Sequence, residues 1–232
     1  MEKAAARIEG ICFDLWNTLA LTRHDPHPLD ALAEAFGLLG QAGWRRTLER
    51  AFMTRVLPGI SSALDAVEAA VGRPPSGRWT RRDLVLMWGA ACNANALFDD
   101  VLPALRALSH RGLRLGLVSN TQSFDLDFLK TTGLSSLLDD QCLSCDCGLL
   151  KPDPAIFGRA AQRLGLSPAS IVMIGDRVED DVLAARRAGL RGVLLDRGCA
   201  TDSGTRTAVP VIHDLAGLTA ILDRATDFIA PS

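Results

Sequence analysis

Residues 170–190 read SIVMIGDRVEDDVLAARRAGL, and this stretch decides the fold class. The run 170–174 is short and apolar, which is typical of a buried strand. Residues 178–188 have a helical pattern that ends at Gly189, the residue type expected just after a helix. A second apolar run follows at 191–195. Strand, helix and strand in this order predict two parallel strands joined by a crossover helix.

The same alternation continues along most of the chain. We predict further strands at 8–15, 113–119, 138–145 and 209–212, and further helices at 101–110, 124–132, 155–164 and 214–225. Several of these helices also end at a glycine: Gly112, Gly133 and Gly165. Repeated alternation predicts an α/β core whose parallel sheet is covered on both faces.

Residues 21–98 depart from this rhythm. They show helical patterns only, at 29–39, 45–56, 61–71 and 81–97. A segment of this length between two strands is too long for a simple crossover. We therefore predict an inserted all-helical lid, or cap domain, at 21–98, and an α/β core domain formed by residues 1–20 and 99–232.

Composition excludes several classes of partner. The chain has 232 residues, of which 48% are hydrophobic and 22% charged, and its formal net charge is −2. This charge favours neither nucleic acid nor an anionic membrane. No apolar run approaches the roughly 18 residues of a membrane-spanning helix. Residues 1–9 lack the apolar stretch of a signal peptide, so we expect a cytoplasmic protein without nucleic-acid or membrane partners.

Cys142, Cys145 and Cys147 lie close enough together to raise the question of a metal site. No second pair of cysteine or histidine residues stands at ligand spacing to complete a tetrahedral site. We therefore interpret residues 141–148 as a short strand leading into Gly148, with reduced thiols.

Polar residues follow the predicted strands. Asp14 and Thr18 follow the first, Ser119 and Asn120 end the next, and Lys151 comes after the third. The strand at 170–174 is followed by three more: Gly175, Asp176 and Asp181. Ligands of open parallel sheets bind beyond the carboxyl ends of the strands, so these side chains should meet in one crevice.

The chemistry of this set favours phosphoryl transfer. Asp14, Asp176 and Asp181 would repel one another unless a cation lay among them, and Mg²⁺ suits carboxylates combined with phosphate oxygens. Lys151 adds a positive charge, and Ser119 and Asn120 add neutral donors. An anionic group held there would have its charge neutralised while a carboxylate attacks it.

The ordered set resembles the four motifs of the haloacid dehalogenase superfamily. The stretches LVSN, GLLKPDPAIF and IGDRVEDDVLAARRAG are most similar to phosphatase-like members of that family. The resemblance extends from Ile8 to about Gly198, with the helical insert where the family carries its cap. It implies a doubly wound, Rossmann-like α/β core.

The resemblance implies a set of roles. Mg²⁺ would be bound by Asp14, Asp176 and the backbone carbonyl of Trp16, and an aspartyl intermediate would form on Asp14. Asp181 would support the metal through water, in preference to Asp180. The transferred group would be held by Thr18, Ser119 and Lys151.

One position departs from the family pattern. Most phosphatases of this family have a second aspartate two residues after the nucleophile, acting as general acid and base. Here that residue is Trp16, whose indole serves as neither. Asn17 stands where glycine is commonest. The family's haloacid dehalogenases also have an aromatic residue in place of that aspartate and expel halide, which needs no proton. They also lack the metal and the pair retained here as Gly175-Asp176.

Three functions therefore stay open. The first choice is a Mg²⁺-dependent phosphatase that favours good leaving groups. The others are a dehalogenase-type C–X hydrolase and a catalytically impaired metal- or ligand-binding protein. A closing cap excludes water, which favours a small-molecule substrate such as a phosphate ester or anhydride. His24 and His27 are candidates for the missing proton donor. The helical insert has three tryptophans: Trp44, Trp79 and Trp88. We expect them to pack between helices rather than to line a pocket.

Overall fold

The computed structural model describes residues 7–124, 126–198 and 209–223, and its central element is a parallel sheet. Six strands form it: β1 (Gly10–Phe13), β4 (Arg114–Ser119), β5 (Asp140–Leu143), β6 (Ile171–Gly175), β7 (Arg191–Leu195) and β8 (Val211–Ile212). Their spatial order is β5-β4-β1-β6-β7-β8. The order reverses at β1, so the crevice between β1 and its neighbours is the expected ligand site of a doubly wound sheet.

Helices complete the alternation predicted from the sequence. Those associated with the sheet are α5 (Val101–His110), α6 (Asp127–Thr131), α7 (Ser144–Cys147), α8 (Pro154–Leu164), α9 (Ala184–Arg187) and α10 (Ala216–Asp223). The predicted last helix at 214–225 extends two residues past the described range, which ends at residue 223.

The sheet is buried on both faces because successive side chains of a strand point to opposite sides. Ile11 and Phe13 of β1 pack in a cluster with α5, whereas Cys12 packs in a different cluster with α8. All three are fully buried. The parallel sheet predicted from the alternation of strands and helices is thus confirmed, as is the doubly wound core that the resemblance implies.

Four further helices form what we call the helical unit, residues 28–93. They are α1 (Pro28–Ala35), α2 (Trp44–Phe52), α3 (Ile60–Val71) and α4 (Arg81–Asn93). Their apolar faces enclose a cluster that includes Leu32, Phe52 and Leu64. The unit therefore has apolar packing of its own, with Phe124 contributed by the sheet side.

Two short strands connect the helical unit to the sheet, where only helix was predicted. β2 (Ala20–Thr22) and β3 (Asn95–Leu97) pair antiparallel, so the predicted helix at 81–97 is too long and ends at Asn93. Arg197 fastens the base of this ribbon. Its guanidinium donates to Thr18 O at 2.9 Å, stacks on Phe98 and forms a two-nitrogen ion pair with Asp100 at 3.0 and 3.1 Å.

Several further predicted bounds differ from the structure. The helices predicted at 29–39 and 45–56 end at Ala35 and Phe52. The strand at 138–145 is shorter, because Ser144–Cys147 is a helical turn that ends at Gly148 in the left-handed region. The helix at 124–132 is shortened to Asp127–Thr131. The helix at 178–188 begins as a π-helix at Val178–Leu183. Such wide turns occur often at functional sites, and this one carries two of the acidic residues singled out in the sequence.

The cysteine trio does not lie on one strand, since it spans the end of β5 and the helical turn α7. Cys142, Cys145 and Cys147 are free thiols. Burial raises the pKa of Cys142 and Cys145 to about 12, which keeps them protonated at neutral pH.

Within the described residues, no helix combines the length and apolar character needed to cross a bilayer.

Candidate active site

Three carboxylates meet at the carboxyl ends of β1 and β6. Asp14 follows β1, Asp176 follows β6, and Asp181 reaches back from the π-helical turn. One oxygen from each lies within 4.8 Å of the others. All three residues are buried. The sequence therefore predicted correctly that these three residues come together.

Burial and the neighbouring negative charges raise the pKa of two of these carboxyls, Asp176 and Asp181. Burial, followed by the charges of Asp14 and Asp181, raises the pKa of Asp176 to about 8. Burial also raises the pKa of Asp181 to about 6, with Lys151 opposing the shift. A divalent cation among these oxygens would remove the repulsion, and three carboxylates are the donors that Mg²⁺ accepts. The donor set therefore fits this metal.

Lys151 supplies the positive charge within the cluster. Its ammonium group donates to Asp14 Oδ1 at 2.5 Å and to Asp181 Oδ1 at 2.6 Å. Burial would lower the pKa of Lys151, but the two carboxylates outweigh burial and raise that pKa above its ordinary value. Lys151 is therefore charged at neutral pH, beside the proposed nucleophile.

Gly175 is required by the packing of Asp181. A methyl group at Gly175 would overlap the Asp181 side chain. Asp181 Oδ2 accepts a hydrogen bond from the backbone N–H of Arg177 at 3.0 Å, which fixes the carboxylate over the glycine. The Gly175-Asp176 pair of the sequence thus serves two carboxylates, because the glycine makes room for one while the aspartate supplies the other.

Gly175→Ala should displace Asp181 and lower turnover by about 10²-fold, since misplacement of a catalytic group by about 1 Å costs this much. Overpacking should also cost about 1–3 kcal/mol of unfolding free energy. Urea unfolding and steady-state kinetics would measure both effects. Gly158→Ala is the matched control, because its added methyl group meets open space on α8. A Gly175→Ala variant with unchanged turnover would contradict the packing argument.

Ser119 ends β4, the neighbour of β1, and Thr18 lies in the turn that follows β1. Ser119 is fully buried at the end of β4, and within the described part of the chain its hydroxyl oxygen has no hydrogen-bond partner. Thr18 is also fully buried, and its hydroxyl donates to Asp14 Oδ2 over a long distance of 3.5 Å. An unsatisfied buried hydroxyl carries a free-energy cost, which a bound anion would offset.

Asn120 lies next to this group but its side chain faces the Lys151 main chain. Asn120 Oδ1 accepts from Lys151 N–H at 2.8 Å, and Asn120 Nδ2 donates to the Lys151 carbonyl at 3.1 Å. The amide therefore holds the backbone of the lysine. Its place among the catalytic residues stays a prediction, and the geometry suggests that it acts through Lys151.

Trp16 occupies the wall of the site in a fixed orientation. Its indole N–H donates to Thr121 Oγ1 at 3.3 Å, and its ring leans on Phe128 with centroids 5.6 Å apart. The indole N–H is a hydrogen-bond donor that does not ionise, so Trp16 does not transfer a proton to a leaving group. Asn17 has φ +60°, which explains why glycine or asparagine suits this position.

A cavity of about 280 Å³ lies between the sheet and the helical unit. Asp14, Lys151 and Asp176 line its floor, and the helical unit contributes residues that include Trp88 and His27. Trp88 is buried against Phe52 and Phe124, so it both packs and lines the pocket.

His24 and His27, the two candidate proton donors, differ in whether they line the cavity. His27 Nδ1 accepts from Leu29 N–H and so begins α1, and burial, followed by the charge of Arg45, lowers the pKa of His27. His27 lines the cavity, whereas His24 Nδ1 contacts the Pro26 carbonyl. Of the two candidate proton donors, His27 is the one that faces the site.

Sequence analysis missed a charged junction between α2 and the site. Arg46 and Glu49 of α2 meet two residues of the segment after β6: Arg177, which precedes the π-helical turn, and Asp180, which lies in it. Burial raises the pKa of Glu49, against the opposing charges of Arg46 and Arg177. In the sequence these residues look like the solvated face of a helix, and their only signal is the three-residue spacing of an i,i+3 ion pair.

Known proteins share both the sequence pattern and the fold. The sequence model of the haloacid dehalogenase-like hydrolase family matches residues 8–189 of this chain. A glyceraldehyde 3-phosphate phosphatase from Methanopyrus kandleri is 34% identical over 110 residues, 47% of each chain. The chain spans about half the length of the curated relatives it matches: 47%, 50% and 57%.

Two solved structures show the same fold. A HAD phosphatase from Thermococcus onnurineus has a TM-score of 0.62 at 24% identity, with 93% of this chain and 98% of that one covered. A 2-haloacid dehalogenase from Pseudomonas syringae pv. Tomato DC3000 also scores 0.62, at 22% identity, with 94% and 99% covered. The fold is that of this class of α/β hydrolases. The chain belongs to the haloacid dehalogenase-like hydrolase family.

Proposed function

We propose that the protein is a Mg²⁺-dependent phosphatase of small molecules, with Asp14 as nucleophile and the helical unit as its cap. The observation that carries this proposal is the buried group Asp14, Asp176 and Asp181, with oxygens within 4.8 Å of one another. Buried carboxylates this close together repel one another, and a bound divalent cation would offset that repulsion. The phosphatase names of several relatives support the same reaction.

The residues would act as follows. The Asp14 carboxylate attacks phosphorus, and the bond to the leaving oxygen breaks, leaving the electron pair on that oxygen. Lys151 and the hydroxyls of Ser119 and Thr18 hold the transferred group and neutralise its charge. Water then hydrolyses the aspartyl-phosphate and restores Asp14. Bound Mg²⁺, held by Asp14, Asp176, the Trp16 carbonyl and Asp181 through water, would supply charge neutralisation at the phosphoryl oxygens.

The cavity fits a small substrate. Its volume of about 280 Å³ lies at the lower end of ligand sites in proteins. The floor holds the reacting groups, and the roof is formed by the helical unit. This enclosure supports a phosphate ester or anhydride as substrate in preference to a phosphorylated protein.

A second candidate function is C–X bond hydrolysis. The observation that favours it is Trp16, because a halide departs without the proton that the indole is unable to supply. The fold does not discriminate, since a phosphatase and a dehalogenase match it equally well. The acidic group favours the phosphatase.

Removal of the metal separates these two candidates. With excess chelator, or in an Asp176→Ala variant, phosphate release from p-nitrophenyl phosphate should fall by about 10²–10³-fold, because the developing charge loses its main counter-charge. Added Mg²⁺ should restore the chelated wild type but not the variant. Halide release from 2-chloropropionate is measured in parallel. Chelator-resistant halide release, without phosphate release, would favour the dehalogenase.

A further inference from the structure

The main chain of Lys151 is held from two sides. From the sheet, the Asn120 amide bonds both the N–H and the carbonyl of Lys151, at 2.8 and 3.1 Å. From the helical unit, Arg46 donates to the same carbonyl. The ammonium of this lysine in turn contacts Asp14 and Asp181. Whatever fixes the Lys151 backbone therefore fixes the charge beside the proposed nucleophile.

Arg46 and Glu49 reach this junction together from one turn of α2. The second guanidinium nitrogen of Arg46 lies 2.9 Å from Asp180 Oδ1. Glu49 Oε2 accepts from Asn120 Nδ2 at 3.3 Å and lies 3.4 Å from Arg46. Arg46 thus holds the Lys151 carbonyl directly, and Glu49 contacts both Arg46 and Asn120, the two residues that hold the Lys151 main chain.

The charges at the junction are complementary. Arg46 and Arg177 carry two positive charges, and Glu49 and Asp180 carry two negative ones, with Glu49 and Asp180 both buried. Arg46 and Glu49 belong to the helical unit, and Arg177 and Asp180 to the segment after β6, so each side is neutral by itself. The ion pairs between the two sides, Arg46–Asp180 at 2.9 Å and Arg177–Glu49 at 3.9 Å, require α2 to lie against the sheet.

We propose that Arg46 and Glu49 are positioning residues that couple the closed helical unit to the placement of Lys151. With α2 against the sheet, they complete the hold on the lysine backbone that Asn120 begins. When α2 moves away, Asn120 alone remains. This role rests on the proposed function, because Lys151 serves there to neutralise the transferred group. Arginine suits the position because its planar fork reaches two acceptors at once.

Arg46→Ala should lower kcat for p-nitrophenyl phosphate by about tenfold with KM changed less than about threefold, because Lys151 is loosened while the substrate pocket remains. Arg46→Lys should fall between the variant and wild type, since lysine reaches one acceptor. Free guanidinium, well below denaturing concentration, should restore several-fold activity to Arg46→Ala only. Unfolded protein would not recover in guanidinium.

Arg50→Ala is the matched control, because it removes the same charge from an exposed position of α2. It should keep wild-type kcat and show no response to guanidinium. Glu49→Ala and the double variant complete a cycle. If the two residues act as one unit, the double variant should lose little more than Arg46→Ala alone. Wild-type turnover in Arg46→Ala would overturn the proposal, and so would a loss that neither lysine nor guanidinium relieves.

Hydrogen exchange tests the same coupling without turnover. In Arg46→Ala the backbone amide of Lys151 should exchange about threefold faster or more than in wild type, because its bond to Asn120 opens more often. Arg50→Ala should match wild type. Equal exchange in all three proteins would overturn the coupling. Absence of phosphate release by wild type would instead reject the phosphatase proposal, and the exchange result would still decide the coupling.

Discussion

Asp14→Asn should reduce phosphate release from p-nitrophenyl phosphate by at least about 10⁴-fold, because an amide is not a competent nucleophile. The structure indicates that this substitution removes the nucleophile without disturbing the packing. Asp14 Oδ1 accepts from Lys151 and its Oδ2 contacts Thr18, so an asparagine of the same shape can occupy the site. Loss of one buried negative charge also relieves repulsion with Asp176 and Asp181. The variant should therefore stay folded.

Asp65→Asn is the control for this experiment. Asp65 lies on α3 with its side chain 70% exposed, far from the acidic group in the sequence and on a different element. It should retain wild-type turnover. Circular dichroism and thermal unfolding establish that both variants are folded. Undiminished phosphate release by folded Asp14→Asn would refute the assignment of the nucleophile. A wild type that releases neither phosphate nor halide would support the ligand-binding alternative.

The sequence predicted the residues on the floor of the site, because their convergence depends only on which residue follows each strand. Parallel strands bring their carboxyl ends to one edge, so Asp14, Ser119 and Asp176 had to converge once the strands were recognised. Lys151 follows by the same reasoning, since it comes soon after β5. The prediction needed no knowledge of how any helix is oriented.

The roof of the site was not predictable in the same way. The sequence shows that α2 is a helix, but not which of its polar residues turn toward the sheet. Arg46 and Glu49 look the same as Arg50 in a helical pattern, and only the packing of α2 against the segment after β6 distinguishes them. The contact between Asn120 and the Lys151 main chain was not predictable for a related reason. Its amide faces the backbone of a residue 31 positions away.

Element boundaries failed where side chains override the local pattern. The predicted strand at 138–145 stops at Leu143 because Ser144 bonds outside the sheet. Its hydroxyl donates to the Met53 carbonyl at 2.6 Å and accepts from Thr121 N–H at 3.0 Å. These contacts join the helical unit to the loop that follows β4. Apolar periodicity carries no information about them.

Trp16 leads to a prediction that distinguishes this chain from phosphatases with a second aspartate. Without an acid to protonate the leaving oxygen, kcat should fall steeply as the leaving group becomes more basic. Aryl and acyl phosphates should exceed alkyl phosphates by about 10²–10⁴-fold, the range expected for general acid catalysis. A series of phosphate esters of graded leaving-group basicity measures this slope. A flat dependence, with chemistry shown to limit the rate, would mean that another residue supplies the proton, and His27 would be mutated first.

Trp16→Asp should restore the missing acid and help only the basic leaving groups, by up to about 10²–10⁴-fold. The gain is reduced by the space left behind, because the indole now contacts Thr121 and Phe128 and a shorter side chain would be loosely held. Trp16→Asn is the matched control, since it leaves the same space without an acid. The ratio of the two variants, measured across the ester series, isolates the proton from the lost packing. If Asp and Asn perform alike on alkyl phosphates, the absence of an acid at position 16 is not what limits this enzyme.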